Sequence, residues 1–287
     1  MDLDIDYLRT WVGKQDRESD TVTPELVKRF RATLSGCTEL TEDVPLGIHW
    51  CLALPAAARD KIGADGHPEK GGFIPPVPLA RRMWASSKIR FHKKLVVGVS
   101  VERTSTIADV VAKHSSASGP LVFVHIDHTF VQTGETVIED RQTVVYRQAS
   151  VFKPPEADEK AGLQDANNSA LSMDVLPNST LLFRYSAMTF NAHRIHYDHN
   201  YTTSEEGYPG LVVQGPLIAT LLMNMAQASQ ASKPMREFEF RGVAPAFVDR
   251  ELQLSVGDPA ANSIEARNQV GALIMSAKAQ FGDESDS

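Results

Sequence analysis

The sequence predicts an α+β protein made of two like halves, on three observations. Residues 88 to 146 and 237 to 281 each run through short segments of alternating apolar and polar residues split by turn signals, the pattern of antiparallel sheet. A helix precedes each run, amphipathic in the first half and apolar almost all round in the second. Between the halves, KPPEADEKAGLQDANNSA is polar, Pro-bearing and low in aromatics, as a linker would be. The expected organisation is an N-terminal domain at 1–150, a linker at 151–175 and a C-terminal domain at 176–287.

The elements follow in order. Thr23-Pro24 is a helix start, with Thr as cap and Pro in the first helical position. Leu26, Val27, Phe30 and Leu34 then recur at helical spacing, and Gly36 stands where the helix should stop. Val44 to Leu54, with Trp50 near its middle, reads as a short strand or a buried turn. Residues 63 to 80 are rich in Gly and Pro, and prolines 75, 76 and 78 forbid regular structure. This stretch is either a surface connection or, because Phe73, Ile74, Leu79, Met83 and Trp84 are apolar, a loop packed over a binding cleft. Strands are expected at 88–91, 95–101, 104–111, 121–130 and 136–146, with turns at Gly98, Ser118-Gly119 and Gly134. His125 and His128 do not alternate onto one face, so they read as sheet-surface residues and not as a ligand pair.

In the second half Thr180 to Phe190 is apolar, aromatic and β-branched, and is expected as a strand. Pro216 to Ala231 follows as a helix, apolar on every side between Ile218 and Ala228, which must be enclosed by a sheet curled round it. Alternating segments at 237–241, 251–256, 263–268 and 272–281 supply that sheet. The last six residues read as a frayed tail.

Composition excludes several function classes. A net charge of −7 and a pI near 5.7 argue against a nucleic-acid binder. Cys37 and Cys51 form neither a metal spacing nor a disulfide framework and read as core residues of a reducing compartment. The acidic start MDLDIDYLRT resembles no signal or transit peptide, and no stretch approaches the roughly 20 apolar residues of a membrane span. The expectation is a cytoplasmic protein with no membrane or nucleic-acid partner.

Residues 183 to 217 hold the polar cluster around which the chain is organised: His193, His196, Asp198 and His199, followed about 20 residues later by a Gly-Pro helix start. Asn191-Ala192-His193-Arg194-Ile195-His196 resembles the hydratase motif of the MaoC-like hot-dog family, in which an Asp stands at the position of Asn191 and a His at that of His196. Gly210-Leu211-Val212-Val213-Gln214-Gly215-Pro216-Leu217 is similar to the family's Gly-x-x-Val-x-Gly segment before the central helix. The longer strings YSAMTFNAHRIHYD, EGYPGLVVQGPL and GGFIPPVPLARRMW resemble a narrower branch, that of type 2 hydroxyacyl-thioester dehydratases and itaconyl- and mesaconyl-CoA hydratases.

The resemblance implies a double hot-dog with a degenerate first domain and a catalytic second one. It also implies reversible hydration of an α,β-unsaturated acyl-CoA, most simply a short branched dicarboxyl-CoA. Elementary chemistry agrees. Adding water beside a thioester builds enolate charge on its oxygen, and a backbone N–H at a helix N-terminus suits that charge. Pro216 has no N–H, so Gly215 is the expected donor. His196 is the expected acid/base, since imidazole titrates near working pH. Asn191 cannot take a proton as a carboxylate can, and is expected to hold the water while His196 moves the proton. Arg194 is a candidate for a substrate carboxylate or CoA phosphate; Asp198 for orienting a histidine; Tyr208, Val213 and Gln214 for the acyl pocket. No metal or redox cofactor is expected. Hot-dog sheets pair at exposed edges, so a homodimer is one expectation, although two such folds in one chain satisfy the pairing internally.

Rival readings stay open at this point. His193, His196, Asp198 and His199 contain the donors of a Zn²⁺ or Fe²⁺ site. Within the class, a hydroxyacyl-thioester dehydratase of fatty-acid synthesis would use the same residues. A thioesterase on the same fold would need a carboxylate where Asn191 stands, and a non-catalytic acyl-CoA binder would not need His196.

Overall fold

The computed structural model describes residues 3–115, 119–149, 152–153, 171–257 and 263–282. Its first half contains strands β1 (Gln15–Thr21), β2 (Arg81–Phe91), β3 (Ser100–Ser115), β4 (Gly119–Gln132) and β5 (Glu135–Arg147). The second contains β6 (Leu171–Val175), β7 (Met235–Gly242), β8 (Leu252–Val256), β9 (Ile264–Asn268) and β10 (Leu273–Phe281). All belong to one sheet in the order β1-β3-β4-β5-β2-β7-β10-β9-β8-β6. Each half repeats one plan, and the antiparallel pairing of β2 with β7 fuses the two.

Helix α1 (Ile5–Arg9) lies at the start of the chain, and α2 (Pro24–Leu34) begins as expected, with Thr23 Oγ1 accepting the Leu26 N–H at 3.1 Å. Between residues 44 and 54 the chain takes the buried-turn option, a 3₁₀ turn at Ile48–Cys51. Residues 95–99 are not strand, and the two segments expected at 95–101 and 104–111 give way to the single strand β3. Strand β1 carried no alternating signal because it is a charged edge strand, QDRESDT, with little burial on either face. Of the expected linker, residues 154–170 lie outside the described residues, while its last five residues form β6 and pair with β8.

One expectation is overturned. Residues 179–188 form helix α3 (Ser179–Met188), not a strand. Asn178 caps it, its Oδ1 accepting the Leu181 N–H at 2.9 Å, and Leu181, Leu182, Tyr185 and Ser186 share the buried face. Phe183 and Phe190, which made the segment look like a strand, are exposed at 65% and 63%. A cap and a helical face outweighed β propensity here.

The short helix α4 (His199–Ser204) leads to α5 (Gly215–Ser229), the long helix of the second half. Every residue from Pro216 to Gln227 in α5 is buried, against β7, β8, β9, β10 and β2. The same core takes Phe30 and Leu34 of α2 and Ile89 and Phe91 of β2. Two polar side chains of α5 inside it are matched: Asn224 exchanges two hydrogen bonds with the Leu46 backbone, and Thr220 Oγ1 meets Tyr185 Oη at 3.2 Å. A second core lies on the same face of the first half's sheet, toward the other end of its strands, where Val110, Val122, Val124 and Tyr146 are covered by Val77 and Leu79, with Phe73 and Ile74 alongside. Among the described residues no helix is long and apolar enough to cross a membrane.

Leu222 is completely buried at the middle of α5. Leu222→Ala should lower the unfolding free energy by about 2–5 kcal/mol in urea titrations, through lost transfer energy and the cavity left behind.

Candidate active site

The chain from α3 to α5 builds the site. After α3, Asn191 Oδ1 accepts the His193 N–H at 3.0 Å, an Asx turn that starts the 3₁₀ turn Arg194–His196. Ile195 anchors the turn in an apolar cluster with Val212 and Phe247, and the Val212 N–H donates to the Ile195 carbonyl at 2.9 Å. His196 is thereby buried, with Nδ1 2.7 Å from the Val212 carbonyl oxygen. Because a carbonyl only accepts, Nδ1 carries the proton, and Nε2 presents a lone pair. Burial pushes the His196 pKa down to about 4, against the opposing pull of the Val212 carbonyl. A neutral imidazole at neutral pH is a ready base.

Three residues beyond Val212, Gly215 opens α5. Its N–H belongs to the first helical turn, where no intrahelical acceptor exists, and no side chain caps this terminus. The neighbouring donor is not available: the Val213 N–H is held by the Ala246 carbonyl at 2.9 Å. Gln214 is fully buried and donates Nε2 to the Leu182 carbonyl and to Ser186 Oγ, both at 2.9 Å, tying α5 to α3. Val213 and Gln214 are thus framework for Gly215. Tyr208 packs with Phe152 and Phe247, at ring separations of 5.7 and 6.1 Å.

Arg194 and Asp198 are committed to each other. Arg194 Nε and Nη2 donate to Asp198 Oδ2 at 3.1 and 2.7 Å, Nη1 donates to the Ala64 carbonyl, and the guanidinium lies over the Tyr201 ring. Asp198 also caps α4 through the Tyr201 N–H, which together with Arg194 lowers its pKa. Asp198 therefore orients an arginine and a helix, not a histidine, and Arg194 is already occupied. His199 is exposed at the start of α4, so the four residues His193, His196, Asp198 and His199 do not gather as one ligand set.

The first half contributes residues that sequence reasoning missed. Residues 63–67 lie against the motif: the Arg194 N–H donates to the Asp65 carbonyl at 2.9 Å, and a Cβ on Gly66 would stand 1.9 Å from the Ala192 carbonyl oxygen. His67 and His193 stack with centroids 4.1 Å apart, and His193 meets His196 edge-on at 5.5 Å. His67 Nδ1 lies 3.2 Å from Asp65 Oδ2, which also faces Arg82 Nη2 at 3.3 Å. Burial first and His196 second push the His193 pKa down to about 3, with Asp65 pulling upward. Donor atoms of Asp65, His67 and His193 lie within 4.8 Å of one another, close enough for a metal ion, although the Asp65 carboxylate already serves Arg82. A cleft of about 710 Å³ opens beside them, lined among others by Asp65, Lys70, Arg81, Arg82 and Glu206. The apolar residues of 63–80 allow a loop over a binding cleft, while for Asp65 and His67 themselves the signal is the Asp-Gly-His-Pro turn at 65–68.

Solved structures share the architecture. HtdX of Mycobacterium tuberculosis superposes with a TM-score of 0.68 at 14% identity, over 93% of this chain and 100% of that one. A second M. tuberculosis protein, described as having a double hotdog fold, superposes with a TM-score of 0.53 at 13% identity, over 94% and 96% of the two chains. The fold is the double hot-dog, and the protein is a hydro-lyase acting on acyl thioesters. The chain belongs to the hydroxyacyl-thioester dehydratase type 2 family, whose model matches residues 47–248. It is 40% identical to the mesaconyl-C(4)-CoA hydratase of Chloroflexus aurantiacus across 95% of this chain and 97% of that relative.

Two outcomes follow from the geometry. Gly66, at φ +89° against Ala192, admits no side chain, so Gly66→Ala should shift the motif and lower kcat by about 100-fold with far-ultraviolet dichroism unchanged. Acting as a base, His196 would be neutral and competent only above its folded pKa of about 4. The acid limb of kcat/KM should accordingly fall near pH 4 and not near the ordinary imidazole value of about 6.5.

Proposed function

We propose that this chain hydrates an α,β-unsaturated dicarboxyl-CoA of the mesaconyl type, with His196 as the acid/base and the Gly215 N–H holding the thioester oxygen. The carrying observation is the bond from His196 Nδ1 to the Val212 carbonyl. It fixes the imidazole tautomer on the same strand of backbone that delivers Gly215 three residues later. The 40% identity to a mesaconyl-C(4)-CoA hydratase over nearly the whole of both chains supports the substrate class.

The step balances within the site. His196 Nε2 takes a proton from water as the water oxygen bonds to Cβ. The alkene electron pair moves toward the thioester, and its oxygen becomes an enolate facing the helix terminus and the Gly215 N–H. His196 then returns the same proton to Cα, so one imidazole serves both transfers and the net change is one water added. Asn191 holds the water through its amide group, since one lone pair of Oδ1 is already engaged by the His193 N–H. A carbon–carbon double bond is consumed and the thioester survives, which separates this chemistry from a thioesterase. Itaconyl-CoA differs only in the position of the double bond and belongs to the same test. The family match favours one second reading, dehydration of a 3-hydroxyacyl thioester carried by CoA or a carrier protein, using the same residues in reverse.

Purified protein should be assayed with mesaconyl-CoA, itaconyl-CoA and crotonyl-CoA side by side, following enoyl-thioester absorbance and free thiol. Loss of absorbance without thiol release, fastest for mesaconyl-CoA, is the expected outcome; thiol release would mean a thioesterase. His196→Ala should lose about 100-fold or more in kcat while keeping the fold by far-ultraviolet dichroism, and wild-type turnover in that variant would remove the assignment.

A further inference from the structure

Resting on the dicarboxyl reading above, we propose that Arg82, a residue of the first half, is the group that recognises the substrate's free carboxylate. Three observations place it. Its side chain is 91% buried yet lines the open cleft beside the histidines. One face of the guanidinium is engaged, Nη2 donating to the Pro68 carbonyl at 3.0 Å and facing Asp65 at 3.3 Å. Nε is sealed from solvent with no hydrogen-bond partner among the described residues and lies beside the buried Tyr146 hydroxyl, whose pKa burial raises and the guanidinium pulls back down. That side fixes the guanidinium from within the fold, and the donors it turns to the cleft wall suit a carboxylate.

Position along β2 ties this group to the chemistry. The Trp84 carbonyl lies 3.8 Å from where a Cβ on Gly215 would be, so β2 passes directly beside the N-terminus of α5. Arg82 is two residues back along that strand, about 7 Å away at strand rise, in the direction of Asp65 and His193. Both Arg81 and Arg82 bear on the His193 imidazole as positive charges, so the guanidinium field extends into the site. A four-carbon enedioyl thioester needs this arrangement: an oxyanion donor at one carboxyl carbon, a cation at the other, and the base between them. Arg194, the obvious cation in the motif, is closed off by Asp198, Ala64 and Tyr201. Arg81 is likewise occupied, paired with Glu206 and donating to the Glu205 carbonyl at 2.8 Å. Arg82 is thus a specificity residue, choosing dicarboxyl over plain acyl chains.

The test compares kcat/KM for mesaconyl-C4-CoA and crotonyl-CoA in wild type, Arg82→Gln and Arg82→Lys. Crotonyl-CoA carries every CoA phosphate but no free carboxylate, so the ratio of the two isolates the carboxylate. Arg82→Gln should lower that ratio by roughly 100-fold, and Arg82→Lys by roughly tenfold, because an ammonium keeps the charge but not the fork. An unchanged ratio in Arg82→Gln, or an equal loss on both substrates, would overturn the assignment in favour of a CoA-phosphate or purely structural role. Should Arg82→Gln not fold, a wild-type ratio in Arg82→Lys is the overturning result. A wild-type protein that hydrates crotonyl-CoA without preferring the dicarboxyl substrate removes this inference alone, whereas one that hydrates neither removes the reading beneath it.

Discussion

The hydrogen bond from His196 Nδ1 to the Val212 carbonyl, 2.7 Å long and shielded from water, is the contact on which the site depends. It sets three things together. It assigns the ring proton to Nδ1 and leaves Nε2 as the working atom. It joins the 3₁₀ turn of the motif to the backbone that leads into α5, a joint doubled by the Val212 N–H bond to Ile195. And because the surroundings are apolar, with Ile195, Val212 and Phe247 clustered there, the imidazole stays neutral well below its ordinary pKa. A polar residue at Ile195 would disturb all three while touching no substrate atom.

The two halves divide the labour unequally. The second half carries the histidine, the asparagine and the helix terminus; the first supplies the wall. That wall is held by contacts along the whole length of α5. Asn224 is bonded to Leu46, Gly47 at φ +88° sits where a Cβ would meet Thr220 Oγ1 at 2.7 Å, and β2 passes Gly215 through Trp84. Residues 63–67 then complete the site by docking onto Ala192 and Arg194. The first half has no wholly enclosed helix of its own, since α2 shares the core of α5. Its sheet face is closed instead by the proline-rich segment around Val77 and Leu79, whose rigid extended path suits a cover laid across strands. The first half therefore takes part in the site through its wall and is not idle.

How much of this was legible in the sequence follows from the range of the interactions. The α5 helix and its Gly-Pro start are local patterns, and so are the alternating strands β4, β5, β7 and β10. The spacing from Asn191 to His196 is local too. The pairing of Arg194 with Asp198 was also within reach, as an i,i+4 pair across a single turn. Helix α3 was misread because composition was weighed over spacing: the buried set 181, 182, 185 and 186 has helical period, and the aromatic residues that suggested a strand point outward. Strand β1 is an edge whose charges protect it from other edges, which removes the signal that would reveal it. Asp65, His67 and Arg82 lie more than 100 residues before the motif and meet it only in the folded chain, where residues 63–67 dock onto Ala192, His193 and Arg194. No periodicity connects them, so only the folded chain could.

The asparagine at 191 is the remaining departure from the wider hydratase motif, and the structure makes it intelligible. A carboxylate there would place a negative charge beside His193 and His196, raising both imidazole pKa values and weakening the case for a neutral base. The amide keeps the turn, through Oδ1 and the His193 N–H, without that charge. Arg81 and Arg82 act in the same direction on His193, as does burial. The site therefore holds its imidazoles neutral, the state that suits the negative charge of the proposed ligand, on its free carboxylate and then on its enolate oxygen. An anionic substrate approaching a carboxylate base would face repulsion as the charge develops; approaching a neutral imidazole flanked by guanidinium groups and a helix N-terminus, it does not.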